Sequence, residues 1–208
     1  MSGSTFGLFS SGRSSTLANA AISSQFTNDK MLTWLTRLFL VVAGSALLAL
    51  SAQFKVPLAW VPVTAQTLVV LLIGMTYGRY LGAATVIAYL LEGGFGMPVF
   101  AGGAAGWLTV TGPTGGYLIG FVAAAFVMGV LAERGMGRNV ASTAIAMLIG
   151  TVGIYAGGVV WLSNFVGSFE RAITVGVMPF LVGDFLKLVV AAGLMPLAWK
   201  AIKKLEGK

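Results

Sequence analysis

From Leu32 onward the chain is a succession of apolar runs separated by short polar, Gly-rich or Pro-rich breaks. The runs cover about Leu32–Leu50, Gln66–Tyr77, Tyr80–Leu91, Tyr117–Leu131, Val140–Leu162 and Pro179–Trp199. A helix needs about 20 apolar residues to cross a bilayer, so the longer runs read as transmembrane helices. The second and third are shorter, and only Gly78 and Arg79 interrupt them. Gly74, Gly78 and Gly82 favour a tight reversal there over one long kinked helix. The pattern therefore predicts an all-α integral membrane protein with six transmembrane helices over residues 31–208, and a structured Gly/Pro-rich outer loop between the third and fourth. Residues 1–30 differ. This stretch is rich in Ser as far as Asn28, with Arg13 as its one basic residue up to that point. It lacks the apolar core of a secretory signal and reads as a disordered tail, although a transit peptide shares its flavour.

Composition supports the membrane reading. Hydrophobic residues make up 57% of the chain and charged residues 9%, against about 25% charged in a soluble domain. Glycine, present 29 times, suits helices whose backbones approach closely in lipid. Cysteine is absent, which excludes disulfides and thiolate metal sites. Histidine is absent as well, so the commonest general base and any cysteine nucleophile are both missing. No G-x-x-x-x-G-K-[ST] phosphate loop occurs. An enzyme is not expected, nor any cofactor or metal on this chain; ATP, if used, belongs to partner subunits.

Charge sets the expected orientation. With the N-terminus inside, the cytoplasmic side collects Arg13, Lys30, Arg37, Arg79, Arg134, Arg138, Lys200, Lys203, Lys204 and Lys208, and the outside keeps Lys55 and Arg171. This positive-inside bias places both termini in the cytoplasm. The formal charge of +7 is then explained by anionic lipid headgroups, without a nucleic acid.

Two features lie outside this general plan. One is the pair Asp184 and Lys187 inside the sixth run. A charge at mid-bilayer costs roughly 2.5–3.5 kcal/mol even on the gentlest scale. Spaced i,i+3, the two share a helix face and can neutralise each other, either as a structural ion pair or as a donor–acceptor site for a polar ligand. The other is the loop chemistry. Val56–Gln66 carries Pro57 and Pro62, and Glu92–Trp107 continues into Thr111–Tyr117 with very high Gly density and no charge beyond Glu92. Such backbone is tolerated near the membrane only against protein or a cavity.

Four segments also carry a resemblance. Val61-Pro-Val-Thr-Ala-Gln66, Gly96-Met-Pro-Val-Phe100, Thr111-Gly-Pro-Thr-Gly-Gly-Tyr117 and Gly183-Asp-Phe-Leu-Lys187 together resemble the BioY proteins, the biotin-binding substrate components of energy-coupling-factor (ECF) transporters. The resemblance runs from about Met31 to the C-terminus. It implies a bacterial cytoplasmic-membrane protein that captures biotin on the outer side, works with a coupling subunit and two ATPase subunits or self-associates, and uses Asp184 and Lys187 as ligand contacts. The chain departs from some members at Ala104, where they have Asn, and at Leu118, where they have Arg. A substrate component for another water-soluble vitamin, or a non-transporting structural subunit, is the alternative.

Biotin's ureido ring offers N–H donors and one carbonyl, so Asp184 can accept while Lys187 donates. Gln66, Thr64, Tyr117 and the backbone N–H groups of Gly102 and Gly103 are further polar candidates. Phe100 and Trp107, with Tyr117, Trp60 and Phe95, are candidates for the apolar wall. On the first helix Ala43, Ser45, Ala46 and Ala49 form a small-residue stripe that suits either a docking face for a partner helix or packing within the bundle.

Overall fold

The computed structural model describes residues 16–18 and 30–205. The Ser-rich tail otherwise lies outside the described residues. Residues 16–18 are buried, and Thr16 reaches the turn at Gly78.

The described chain is almost wholly helical: α1 Lys30–Gln53, α2 Gln66–Tyr77, α3 Arg79–Gly94, α4 Trp107–Thr111, α5 Gly115–Glu133, α6 Val140–Val166, α7 Phe169–Gly176 and α8 Leu181–Leu205. A 3-10 turn, Met178–Phe180, leads into α8, and two short strands, β1 Lys55–Val56 and β2 Val63–Thr64, pair antiparallel between α1 and α2. Lys30–Gln53, Gly115–Glu133, Val140–Val166 and the stretch Phe169–Ile202 are long and apolar enough to cross a membrane. The apolar helix α2 is shorter, at 12 residues.

Helix ends follow local chemistry. Asn139 caps α6 by accepting from the Ser142 N–H at 2.8 Å, and Gly167, with φ +86°, ends it. Such a cap contributes about 1 kcal/mol. The start of α3 is capped from another helix: Glu133 Oε1 accepts the Arg79 N–H at 3.1 Å, and its other oxygen lies 3.2 Å from Arg79 Nε. Between α2 and α3 the chain reverses at Gly78, whose φ of +86° is open to glycine and strained for other residues.

Helix α5 is the hub, packed against α2, α3 and α6, with α8 lying on α6 and α2. Close approach there depends on small residues. A Cβ at Gly74 would stand 2.5 Å from the Ala125 carbonyl oxygen. The outer faces are apolar: Leu35, Phe39 and Val42 on α1, and Val182, Phe185 and Val189 on α8, are all exposed. A face that is apolar outward on a helix of this length is a lipid-facing one.

The small-residue stripe on α1 is divided between two environments. Ser45 is buried and donates to Glu92 Oε1 of α3 at 2.8 Å, and a Cβ on the neighbouring Gly44 would come within 2.6 Å of the Thr85 methyl. Ala43 and Ala49 are half-buried, and Ala46 alone of the four is exposed. The Ser45 side of the stripe therefore seats α1 on α3 within the chain.

Candidate functional site

A cavity of about 180 Å³ is lined by residues of β2, α2, α3, α4, α5, α6 and the 3-10 turn, together with the loop at Phe100 and Ala101. Its polar lining is Thr64, Gln66, Thr67, Tyr89, Thr109, Thr114 and Tyr155, and its apolar wall includes Phe100, Tyr117, Phe121, Ile154 and Phe180. Among the residues expected from sequence, Thr64, Gln66, Phe100 and Tyr117 are brought together here.

Asp184 lies in the first turn of α8, where the helix N-terminus favours a negative charge. Its Oδ1 is 3.0 Å from Lys187 Nζ, and the two side chains are only 12% and 15% exposed. The Tyr155 hydroxyl donates to the other carboxylate oxygen. Lys187 donates in turn to Thr67 Oγ1 at 2.7 Å. The pair stands directly behind Tyr155 and Thr67, which form that part of the cavity wall. A buried charge is tolerated when paired and hydrogen-bonded, and this pair is joined to α6 and α2 as well as to itself.

A second polar chain also runs along the cavity wall. Thr64 donates to Gln66 Oε1 at 3.1 Å, Gln66 Nε2 donates to the Tyr89 hydroxyl at 2.7 Å, and Tyr89 donates to the Val99 carbonyl at 3.1 Å. Tyr89 and Phe100 meet edge to face, with ring centroids 5.5 Å apart. Tyr117 uses its hydroxyl on the Gly176 carbonyl at 2.8 Å, so its ring, stacked with Phe180 at 6.4 Å, is what the cavity sees.

The other expected residues fall outside the cavity. Trp107 packs over Gly94 and edge-on to Phe95, at 5.9 Å, and is 49% exposed. Its indole rests on that contact and is not part of the cavity lining. The Gly103 N–H, expected as a ligand donor, instead closes a turn onto the Phe100 carbonyl at 3.0 Å. Gly102 and Gly103 have φ of +73° and +77°, so their contribution is the sharp bend that turns Phe100 inward. Sequence reasoning missed Thr67, Tyr89, Tyr155 and Phe180. The two tyrosines carried a signal, because a hydroxyl in the middle of an apolar span needs a partner.

A helical bundle with a lipid-facing apolar surface, and an aromatic cavity backed by a buried ion pair, defines a multi-pass membrane protein with a small-molecule pocket. The chain belongs to the BioY family, which it matches over residues 20–204. It is 41% identical over 170 residues to the biotin transporter BioY of Thermotoga maritima, covering 80% of this chain and 96% of that protein. It is 38% identical over 174 residues to the biotin transporter BioY of Rhizobium etli, covering 80% and 90%. The fold is shared with a crystal structure of the S-component for biotin from an ECF-type ABC transporter, at a TM-score of 0.74 and 22% identity over 83% of this chain and 95% of that one.

Proposed function

We propose that the chain captures biotin and is the substrate-specific component for its uptake. Family membership over residues 20–204 supports this most directly. The chemistry of the cavity agrees with it. A bicyclic ligand with a polar urea edge and an apolar body matches an aromatic wall backed by one strong acceptor and one strong donor. Hydrogen bonds to charged groups contribute about 1.5–3 kcal/mol each. In this reading Asp184 takes a ureido N–H, Lys187 donates to the ureido oxygen, Thr64 and Gln66 border the ring, and Phe100 and Tyr117 enclose the thiophane and valeryl carbons.

The finer organisation belongs to the same proposal. Residues 31–208 form the binding unit, spanning the membrane six times, with both termini in the cytoplasm and the 93–116 loop capping the site outside. The membrane is the bacterial cytoplasmic one. The chain catalyses no reaction, being of a transporter family, and holds no cofactor. ATP is consumed by two partner ATPases acting through a coupling subunit, unless the chain self-associates and works alone.

Isothermal titration of the detergent-purified protein with biotin, thiamine and riboflavin tests the reading. Tight binding of biotin alone is expected. Tighter binding of another vitamin makes the chain a sibling substrate component, and binding of none of the three makes it a structural subunit.

A further inference from the structure

Lys55 is opposite Thr64 in the short ladder between α1 and α2. Directly opposed residues of an antiparallel pair present their side chains on one face, and Thr64 is a buried residue of the cavity wall. The Lys55 side chain therefore leaves the ladder on the cavity side. From there it crosses to the Gly-rich loop, where its ammonium takes the space that a Cβ on Gly102 would need. Gly102 directly follows Phe100 and Ala101, both of which line the cavity. Lys55 is exposed and is not itself part of the cavity lining; its ammonium lies against the loop that carries Phe100 and Ala101, next to that lining. Among the described residues the ion pairs are Arg79–Glu133 and Asp184–Lys187, so Lys55 has no acid opposite it. Lys187, by contrast, is already neutralised by Asp184. Among the described residues Lys55 is therefore a positive charge without an acid partner, standing beside the site.

We propose that the Lys55 ammonium is the anion-recognising group of this cavity, binding the carboxylate of a ligand whose polar ring lies against Asp184 and Lys187. The assignment rests on the biotin reading, since biotin carries its carboxylate at the end of a chain leading away from the ureido ring. An ammonium beside the cavity is partly solvated, so its contribution is modest, and it selects the free acid over neutral analogues.

The test titrates wild type, Lys55→Met and Lys55→Arg with biotin and with biotin methyl ester. Wild type is expected to prefer the acid by about fivefold, the size of an exposed ion pair. Lys55→Met should lose that preference by binding biotin more weakly while holding the ester as wild type does, which also reports an intact fold. Lys55→Arg should retain the preference. If wild type shows no preference, if Lys55→Met keeps it, or if Lys55→Met loses both ligands equally, the role of Lys55 is overturned and the biotin reading stands. A wild-type protein that binds neither compound overturns both.

Discussion

Replacing the two members of the α8 pair, singly and together, separates a ligand contact from a structural ion pair. Asn at position 184 keeps the volume of Asp184 and one acceptor oxygen, but it removes the charge that Lys187 meets at 3.0 Å and that the Tyr155 hydroxyl also approaches. The lost charge assistance toward a ligand N–H is about 1.5–3 kcal/mol, or roughly tenfold to more than a hundredfold in Kd. Lys187→Met fills the space and donates nothing, so a similar loss is expected. Stability responds differently. Either single change strands a group that is largely buried, and breaking such a pair costs about 3–5 kcal/mol when the remaining charge has no partner. Here Lys187 would keep Thr67 at 2.7 Å, and Asp184 would keep Tyr155 and the α8 N-terminus, so a cost below that range is expected. The double variant Asp184→Asn/Lys187→Met should recover most of it, since no lone charge remains.

Thermal melting with and without biotin, combined with titration calorimetry, reads both quantities. A ligand present at a hundred times its Kd stabilises the folded state by about 2.7 kcal/mol. Loss of that biotin-dependent shift in all three variants, with a near-normal melting temperature in the double, is the expected pattern. A double variant that binds biotin like wild type refutes the assignment of the pair to the site.

Three further outcomes are expected. A Cβ at Gly158 would overlap the Tyr117 ring, and overpacking of this kind costs about 1–3 kcal/mol; Gly158→Ala should lower both the melting temperature and biotin affinity, and an unchanged pair of values would contradict the described packing. Tyr155→Phe removes a bond between α6 and α8, and interhelical bonds in membranes average only about 0.6 kcal/mol with a maximum of about 1.7; a melting loss near the upper end is expected, and none at all would mean the hydroxyl does not hold Asp184. Because the chain has no Cys, Met97→Cys and Lys204→Cys can be probed on intact cells with an impermeant maleimide; labelling at Lys204→Cys but not at Met97→Cys would reverse the proposed orientation.

Much of the fold was legible because its controlling signals are local. The apolar runs match α1, α2, α3, α5, α6 and α8 to within four residues at every end but the last, where α8 continues six residues past Trp199, since span length and Gly or Pro breaks are both written in short windows. The reversal at Gly78 was visible for the same reason. The short helices α4 and α7 were not anticipated. Trp107–Thr111 is five residues inside a Gly-rich loop, and Phe169–Gly176 has a charged first turn that reads as a polar connection. The site was legible in part. Asp184 and Lys187 announce themselves because charge is rare in a span, and i,i+3 spacing on a helix fixes their contact. Thr67 and Tyr155 are 120 and 29 residues away from their partners in sequence, and only the packing of α2 and α6 against α8 brings them in. Trp107 lies on Gly94 and not in the cavity lining, for the converse reason. An aromatic residue in a loop can turn to either side, and nothing local told that Gly94 offers it a seat.

The bonding of the α8 pair bears on how a ligand would be received. Asp184 and Lys187 already hold Tyr155 and Thr67, so the site is not an open set of waiting charges. Capacity is nonetheless left over. A carboxylate has about four acceptor directions and an ammonium three donors, of which the described contacts use two each. A ligand that reaches the pair can therefore add its bonds without displacing the existing ones. That arrangement avoids leaving a bare charge in the bilayer while the site is empty, which would cost several kcal/mol. It also keeps the carboxylate and ammonium aimed in one direction, so less side-chain freedom remains to be lost on binding. In the proposed reading Tyr155 and Thr67 would act on a ligand through the pair, because their hydroxyls set where Asp184 and Lys187 point.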